Sequence, residues 1–509
     1  MTHRKHIIVV GAGAGGLSAA IDLARSGHDI TVLERNSEAG GKIRQRLVKN
    51  NRGIDVGPTV FTMRWIFDSL FEDAGASFAD ALTLHPASIL ARHAWASNDK
   101  PNGKLDLYAD IDRSAEAIAA FASPRDAEGY RQFCAQSQKV FDVLRDSFIT
   151  DQRPSQLDVV KRVGVDRLAG WLATIRPWRT LWQELGTYFD DPRLRQLFAR
   201  YATYVGSSPL ATPATIMLVA HVEQQGVWHV DGGMRAVAQA MQSLGEGLGV
   251  TYRFDAPVAR VRLTGRRASA VELETGEVIE ADGIIFNGDI SAIGGGLLGD
   301  ELRSRAPVTP RKKRSLSAVT WSVHAPTSGF DLAFHTVFFA DRYPNEFRSI
   351  FSDRTIAQMP TVYVCAQDRG ENEAVPIQPG EDERLFLLVN APADGDIKCQ
   401  TPEQLEDLKM RVLKLLRVCG LHIDDFDATA SLTEPADFNA RFPATGGALY
   451  GQSSHGMMST LNRNGARSQI PGLYFAGGSV HPGPGVPMAT MSGRLAAQQY
   501  LADQRSGRA

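Results

Sequence analysis

The stretch HIIVVGAGAGGLSAAIDLARSGHDITVLER, residues 6–35, leaves this chain little freedom of fold. His6 to Val10 is a short β-branched apolar run of the kind buried on both faces of a parallel sheet. Gly11, Gly13 and Gly16 follow in G-x-G-x-x-G spacing. Leu17, Ala20, Ile21 and Ala24 then recur at helical intervals, Ser26-Gly27 closes the helix, and Ile30 to Leu33 forms a second strand ending in Glu34. Gly11 permits the tight turn, Gly13 lets the backbone approach a pyrophosphate, and Gly16 lets helix pack on strand. The helix N-terminus offers unpaired N–H groups and its positive dipole end to phosphates. Glu34, 18 residues beyond Gly16, is placed to accept hydrogen bonds from ribose hydroxyls. A chain with 47 glycines could carry such spacing in an ordinary loop. The flanking strand, helix and acid argue instead for a Rossmann-type α/β unit holding a dinucleotide, NAD or FAD. Arg35 and then Gly40-Gly41-Lys42 add a second close backbone approach and positive charge for a diphosphate.

The other end of the chain separates the two dinucleotides. Leu473 to Ala476 is an apolar strand, Gly477-Gly478-Ser479 permits close approach to a ligand, and a helix begins near Pro487, with Met488, Met491 and Leu495 on one face. Proline suits a first helical position because its missing N–H would be unpaired there. N–H groups from Val486 and Met488 at that helix start would stabilise the negative charge that gathers on the pyrimidine side of a reduced flavin. The two ends together favour FAD.

Between them the pattern is discontinuous. A helix follows Gly232-Gly233, Val258 to Val261 reads as a strand, Val271 to Ile279 as a hairpin turning at Thr275-Gly276, and Gly283 to Asn287 as another buried strand. The expected division is a nucleotide domain from residues 1–70, 230–295 and 440–509, and a second domain from 71–229 and 296–439. With 55 Lys plus Arg against 57 Asp plus Glu there is no overall basic field, which argues against nucleic acid as a partner. Arg311-Lys312-Lys313-Arg314 reads as a solvated loop. Cys134, Cys365, Cys399 and Cys419 are scattered, without zinc-ligand or disulfide spacing, so no metal is expected and a reducing, cytoplasmic setting is. Glycines interrupt the apolar N-terminal run, and no stretch reaches the roughly 18–20 apolar residues of a spanning helix. Neither a cleaved signal nor a transmembrane segment is expected.

GAGAGGLSAA with Glu34-Arg35 and Gly40-Gly41-Lys42 resembles the FAD-containing amine oxidase/phytoene desaturase superfamily. Asp55-Val56-Gly57-Pro58-Thr59-Val60, Tyr188-Phe189-Asp190-Asp191-Pro192-Arg193-Leu194-Arg195 and Gly226-Val227-Trp228 sharpen the resemblance to bacterial carotenoid desaturases. So does Phe475-Ala476-Gly477-Gly478-Ser479-Val480-His481-Pro482-Gly483 with Gly485-Val486-Pro487. The resemblance covers essentially the whole chain, and its details look most like desaturases of 1-hydroxycarotenoids (hydroxyneurosporene or methoxyneurosporene type). It implies a Rossmann-type FAD-binding domain with a discontinuous α+β substrate domain and helical lid. It assigns Gly11, Gly13 and Gly16 to the diphosphate, Glu34 to the adenosine ribose, Arg35, Gly41 and Lys42 to nearby polar parts of FAD, and Val258 to the adenine end. Gly57 and Pro58 would line the isoalloxazine side; Gly478, Val486, Pro487 and Met488 would meet the ribityl chain and pyrimidine ring. Thr59 and His481 would face substrate, His481 having as its alternative a turn histidine bonded to backbone.

The implied reaction removes a hydride and a proton from neighbouring carbons, 3 and 4, beside the polyene. No general base follows from the residues; Asp158 and His481 are the candidates. The final electron acceptor, oxygen or quinone, is open. A long hydrocarbon substrate must come from lipid. Between Asp158 and Trp182, five cations (Lys161, Arg162, Arg167, Arg176, Arg179) face two Asp, and Trp171, Trp178 and Trp182 accompany Leu168, Leu172 and Ile175 until Pro177. Such a helix can lie in a headgroup layer, placing the protein peripherally on the inner (chromatophore) membrane, or can pack as a lid on the substrate domain. Phytoene desaturase is the alternative within the carotenoid desaturases, and two further rivals share the architecture. For a flavin amine oxidase, the aromatic pair lacks its tryptophan, since no Trp follows Trp321. The other is an isoprenoid-binding chaperone of the Rab-GDI kind.

Overall fold

The computed structural model describes residues 4–48, 52–155, 158, 165–369, 377–378, 380–457, 459 and 462–508. Its first layer is a five-stranded parallel sheet. The strand order is Leu473–Phe475, Gly283–Phe286, His6–Val10, Asp29–Leu33 and Thr251–Arg253. The central strand pairs in register with both neighbours, Val9 opposite Ile285 and Val32. Ile7, Ile8 and Val9 are fully buried, which is why this strand is an unbroken apolar run. The edge strand Thr251–Arg253 escaped the sequence reading: three residues carry no period of their own, and pairing with Thr31–Leu33 defines it.

Helices Ala14–Arg25 and Met234–Gly247 cover one face together with the closing helix Val486–Arg505. The first and last helices are locked together. Ser18 Oγ donates to Thr490 O at 2.7 Å, and the buried Arg494 guanidinium donates to Asp22 Oδ2 at 3.1 Å and also to Ser69 and Asp73. The second face carries the antiparallel sheet Val258–Thr264, Arg267–Leu273 and Val278–Glu280, whose hairpin turns at Gly276 with φ +86°. Helix Arg64–Asp73 spans residue 70, the expected domain border. Phe67, Phe71 and Phe78 pack in the nucleotide-side core, so the chain leaves that half later than expected.

The second layer is a mixed seven-stranded sheet. Its order is Ser431–Thr433, Ser317–Ala325, Glu383–Ala391, Val362–Ala366, His335–Phe339, Ile89–Ser97 and Lys100–Tyr108. All its pairs are antiparallel except His335–Phe339 with Ile89–Ser97. Helix Pro402–Val418 packs Leu408, Val412 and Leu416 on one side. On the other, Pro124–Leu144 and Pro192–Ala199 bring Phe133, Phe189 and Phe198 together. The proline-led starts are capped by Ser123 and Asp191, each accepting a backbone N–H. The basic run at 311–314 is not a free loop: Arg311 makes a bidentate pair with Asp394, and the buried Arg314 does so with Asp396. No described helix is long and apolar enough to cross a membrane.

Candidate active site

The sequence-predicted glycines converge at the C-terminal end of the parallel sheet. Gly11 takes φ +100° and donates its N–H to Leu33 O at 2.8 Å. A Cβ on Gly16 would stand 2.0 Å from Gly11 O, so only glycine lets the helix approach the strand. Gly13 precedes helix Ala14–Arg25 and bridges to Gly40, whose N–H donates to Ala12 O. Gly41 faces Gly13 Cα at 3.2 Å from where its Cβ would be. Glu34 is buried at 4% exposure. Its Oε2 accepts from Ala12 N at 2.8 Å, and its Oε1 from Asn36 N and Nδ2 at 3.0 and 2.6 Å. A carboxylate has about four lone-pair sites, so the fixed group keeps capacity for further donors. Arg35 is exposed beside it, and Ala256 N donating to Glu34 O brings Val258 to the same edge.

Gly57 is pressed onto Lys42: a Cβ there would lie 2.0 Å from Lys42 O. Lys42 Nζ donates to Leu449 O at 2.5 Å, joining this turn to the C-terminal third. Gly57, Pro58 and Thr59 line a cavity of about 850 Å³, and so do Val486, Pro487 and Met488. Helix Val486–Arg505 therefore starts at the cavity wall, where the first N–H groups of a helix have no intrahelical acceptor. Glycines at 483 and 485 take φ +144° and +110°, and a Cβ there would come no nearer than 3.8 Å to Arg463 and 4.0 Å to Met488. This cradle, with the pyrophosphate-type turn and the anchored Glu34, fits FAD.

Several site residues were not legible in the sequence. Asn287, at the end of strand Gly283–Phe286, puts its amide against Gly11, Gly13, Gly15 and Gly477 and donates to Gly11 O at 3.3 Å. Arg463, 3% exposed, lines the cavity and donates to Gln452 O at 2.8 Å and Gly478 O at 3.5 Å; burial pushes it down to about 10, so it remains a cation. Nothing local in the sequence marks either one, because their partners lie across loops.

The rest of the cavity is a long apolar chamber between the seven-stranded sheet and the helical layer. Phe386 and Leu388 come from the sheet, Leu144, Phe148 and Ile149 from the Pro124–Leu144 helix and its extension, and Ile216, Val219 and Val222 from the segment 214–224 packed against that helix. Trp171, Leu172 and Ile175 of helix Val165–Ile175 complete it. The apolar face of that helix is thus turned on the cavity, as a lid. Lys161 and Arg162 and the side chains of Arg167 and Leu168 lie outside the described residues. Arg176 and Arg179 both pair with Glu184, at 2.5 and 3.0 Å. Trp182 is covered by Arg195 at 4.3 Å, while Trp178 is 60% exposed.

Thr59 faces the cavity, its Oγ1 2.7 Å from Tyr363 Oη. His481 does not line it. It is 3% exposed, with Nε2 2.9 Å from Asp151 O and its ring edge-on to Phe148 at 4.6 Å, and burial pushes it down to about 4. The backbone-bonded turn histidine is what the structure contains. Asp158 exchanges hydrogen bonds with Ser155, accepting from its N–H at 2.9 Å, and is likewise absent from the cavity wall.

A dinucleotide cradle, a helix start at the wall of a deep chamber and a sheet-backed apolar wall define a flavin-dependent oxidoreductase. The chain belongs to the flavin containing amine oxidoreductase family, whose profile matches residues 14–501. It is 48% identical to the hydroxyneurosporene desaturase of Rubrivivax gelatinosus over 501 residues, 98% of this chain and 94% of that one. It is 41% identical to the enzyme of that name from Rhodobacter capsulatus, covering 99% of each. The 4,4'-diapolycopene oxygenase of Methylomonas sp is 30% identical over 98% of both chains. Among solved structures, an oxidoreductase from Methanosarcina mazei superposes with a TM-score of 0.60 at 15% identity, covering 98% of this chain and all of that one, and putrescine oxidase with 0.59 at 16%, covering 98% and 99%. These share the fold.

Proposed function

We propose that this protein is an FAD-dependent carotenoid desaturase that forms the double bond between carbons 3 and 4 of a 1-hydroxycarotenoid. The observation carrying this reading is the chamber of about 850 Å³, apolar over most of its wall, that runs to the helix start at Val486–Met488. The relatives at 48% and 41% identity bear the desaturase name. A polyamine would need carboxylates along its path, whereas Glu223 is the one acid among the described lining residues.

When bound, FAD supplies the two-electron oxidation, accepting a hydride from the polyene. The chain's residues bind and orient. Gly11, Gly13, Gly16 and Gly41 would hold the diphosphate, Glu34 the ribose, Arg35 and Lys42 nearby polar groups, and Val258 the adenine end. Gly57, Pro58, Gly478, Val486, Pro487 and Met488 would surround the isoalloxazine and ribityl parts. The apolar walls exclude water and fix the chain of carbons beside Thr59, which is the larger part of what the protein contributes. Residues 1–70, 230–295 and 440–509 are read as the FAD-binding domain, with the segment through Phe78 packed on it, and 71–229 and 296–439 as the substrate domain.

Substrate entry is read as occurring from a membrane surface, with the protein peripheral on the cytoplasmic side of the inner membrane. The support is Trp178, exposed directly after the cavity-lining helix that carries Trp171, Leu172 and Ile175. Incubation with neurosporene, 1-hydroxyneurosporene and phytoene, followed by absorption spectra and mass, tests the reaction. Loss of two mass units from the hydroxylated compound is the expected result; conversion of phytoene alone rejects the reading.

A further inference from the structure

Part of the wall of this mostly apolar chamber is polar. Arg200, first residue of the 3-10 turn Arg200–Val205, lines it with Tyr204, Glu223 and Tyr363. Arg200 Nη1 donates to Tyr204 Oη at 3.0 Å. Its guanidinium carbon is 5.1 Å from the centre of the Tyr204 ring and 5.4 Å from that of Tyr363. Glu223, in helix Leu218–Gln224, accepts from Tyr201 Oη at 2.8 Å and is not paired with Arg200. Among the described residues no carboxylate forms an ion pair with Arg200, and Tyr204 is its one hydrogen-bond acceptor. A guanidinium has five N–H donors, so most of this one's donors are left without a protein acceptor at the cavity wall.

The position of this charge is informative. Tyr363 Oη lies 2.7 Å from Thr59 Oγ1 and 2.7 Å from His335 Nδ1. Arg200 is thus one side chain away from the Gly57–Thr59 turn.

We propose that Arg200 and Tyr204 bind the oxygen on carbon 1 of the polyene and thereby select a hydroxylated or methoxylated end over a plain hydrocarbon end. The inference rests on the desaturase reading and names the group that sets its specificity. A hydrocarbon end would bury the free N–H groups without an acceptor, which costs more than a hydrogen bond to a charged donor returns. A hydroxyl or ether oxygen supplies the acceptor. An ammonium end would be repelled. Carbon 1 is two carbons from carbon 3, so an oxygen held at Arg200 puts the bond between carbons 3 and 4 near Thr59. A site built to hydrogen-bond an oxygen discriminates strongly against the analogue that lacks it.

The test uses purified, flavin-loaded wild type, Arg200→Met and Tyr204→Phe. Each is titrated with 1-hydroxyneurosporene and with neurosporene, with the polyene absorption band reporting Kd and initial rates measured alongside. Wild type is expected to prefer the hydroxylated polyene by about tenfold or more. Arg200→Met should bring the ratio close to one, and Tyr204→Phe to an intermediate value. A ratio unchanged in Arg200→Met overturns the proposal. If that variant fails to retain flavin, an unchanged ratio in Tyr204→Phe overturns it, since that change removes one oxygen from a ring that keeps its place. Wild type that desaturates both polyenes with equal affinity overturns the selection role and leaves the desaturase reading standing. Wild type that converts neither defeats both.

Discussion

Gly493 lies so close to Gly15 that a Cβ on it would stand 2.0 Å from the Gly15 carbonyl oxygen and 2.1 Å from Ser18 Oγ. The last helix and the first helix therefore meet backbone to backbone, and the cavity-facing end of one is positioned by the other. Gly493→Ala is expected to separate them at a cost of roughly 1–3 kcal/mol, the usual penalty for forcing a methyl into a packed contact. Denaturant unfolding followed by flavin fluorescence reads it; a stability equal to wild type would show that the two helices can slide apart freely.

Glu34→Gln keeps the shape of the group but removes its charge and turns one of the two oxygens that accept from Ala12 N and Asn36 N into a donor. A charge-assisted acceptor is about twice as strong as a neutral one. FAD affinity, measured by reconstituting the apoprotein, should fall by about tenfold, with fold stability less affected. Unchanged affinity would remove Glu34 from the ribose site.

Asp55 and His481 are expected to move stability in opposite directions with pH. Burial raises Asp55 from 3.8 to about 6, opposed in part by the Met234 N–H donating to it at 2.7 Å. The folded form holds its proton longer than the unfolded form, so this contribution is full below about pH 4 and is lost as pH rises to about 6. Its size is on the order of 2–3 kcal/mol at most. Asp55→Asn should remove that slope. Stability of wild type and variant measured across pH 4–7 would show parallel curves if the carboxyl titrates normally.

For His481, burial lowers the folded value from 6.5 to about 4. The unfolded form then binds the proton first, so stability falls as pH drops from about 6.5 to 4. His481→Phe should flatten this limb while leaving the preference for hydroxylated polyene intact. A lost preference would return His481 to the substrate wall.

Trp178→Ser should lower the fraction of protein sedimenting with anionic phospholipid vesicles severalfold at unchanged thermal stability, because the ring is exposed and supports no core. Equal sedimentation would move the membrane-facing surface elsewhere.

What the sequence made legible was what is local in the chain. The strand His6–Val10, the glycine turn, the helix ending at Arg25 and Glu34 all lie within thirty residues, and each announces itself by spacing or by a conformational need. The closing helix was readable for the same reason, through Pro487 and the glycines before it. Arg463, Asn287 and the Arg200–Tyr204 pair were not, because an arginine or asparagine becomes part of a site only through what distant segments place around it. His481 misled for the converse reason: it sits in a glycine-rich motif at the cavity, yet Asp151 and Phe148, more than three hundred residues earlier, turn its ring away.

The parallel sheet takes its outermost strand from residues 473–475, next to one from 283–286 and two strands from its start. During translation the strand His6–Val10 must therefore wait for residues 283–286, and that strand in turn stays unpaired on one side until residues 473–475 leave the ribosome. Prosthetic-group capture is consequently among the last events of biogenesis, and a nascent chain stalled before the final helix has a nucleotide fingerprint but lacks the helix start that completes the cavity wall.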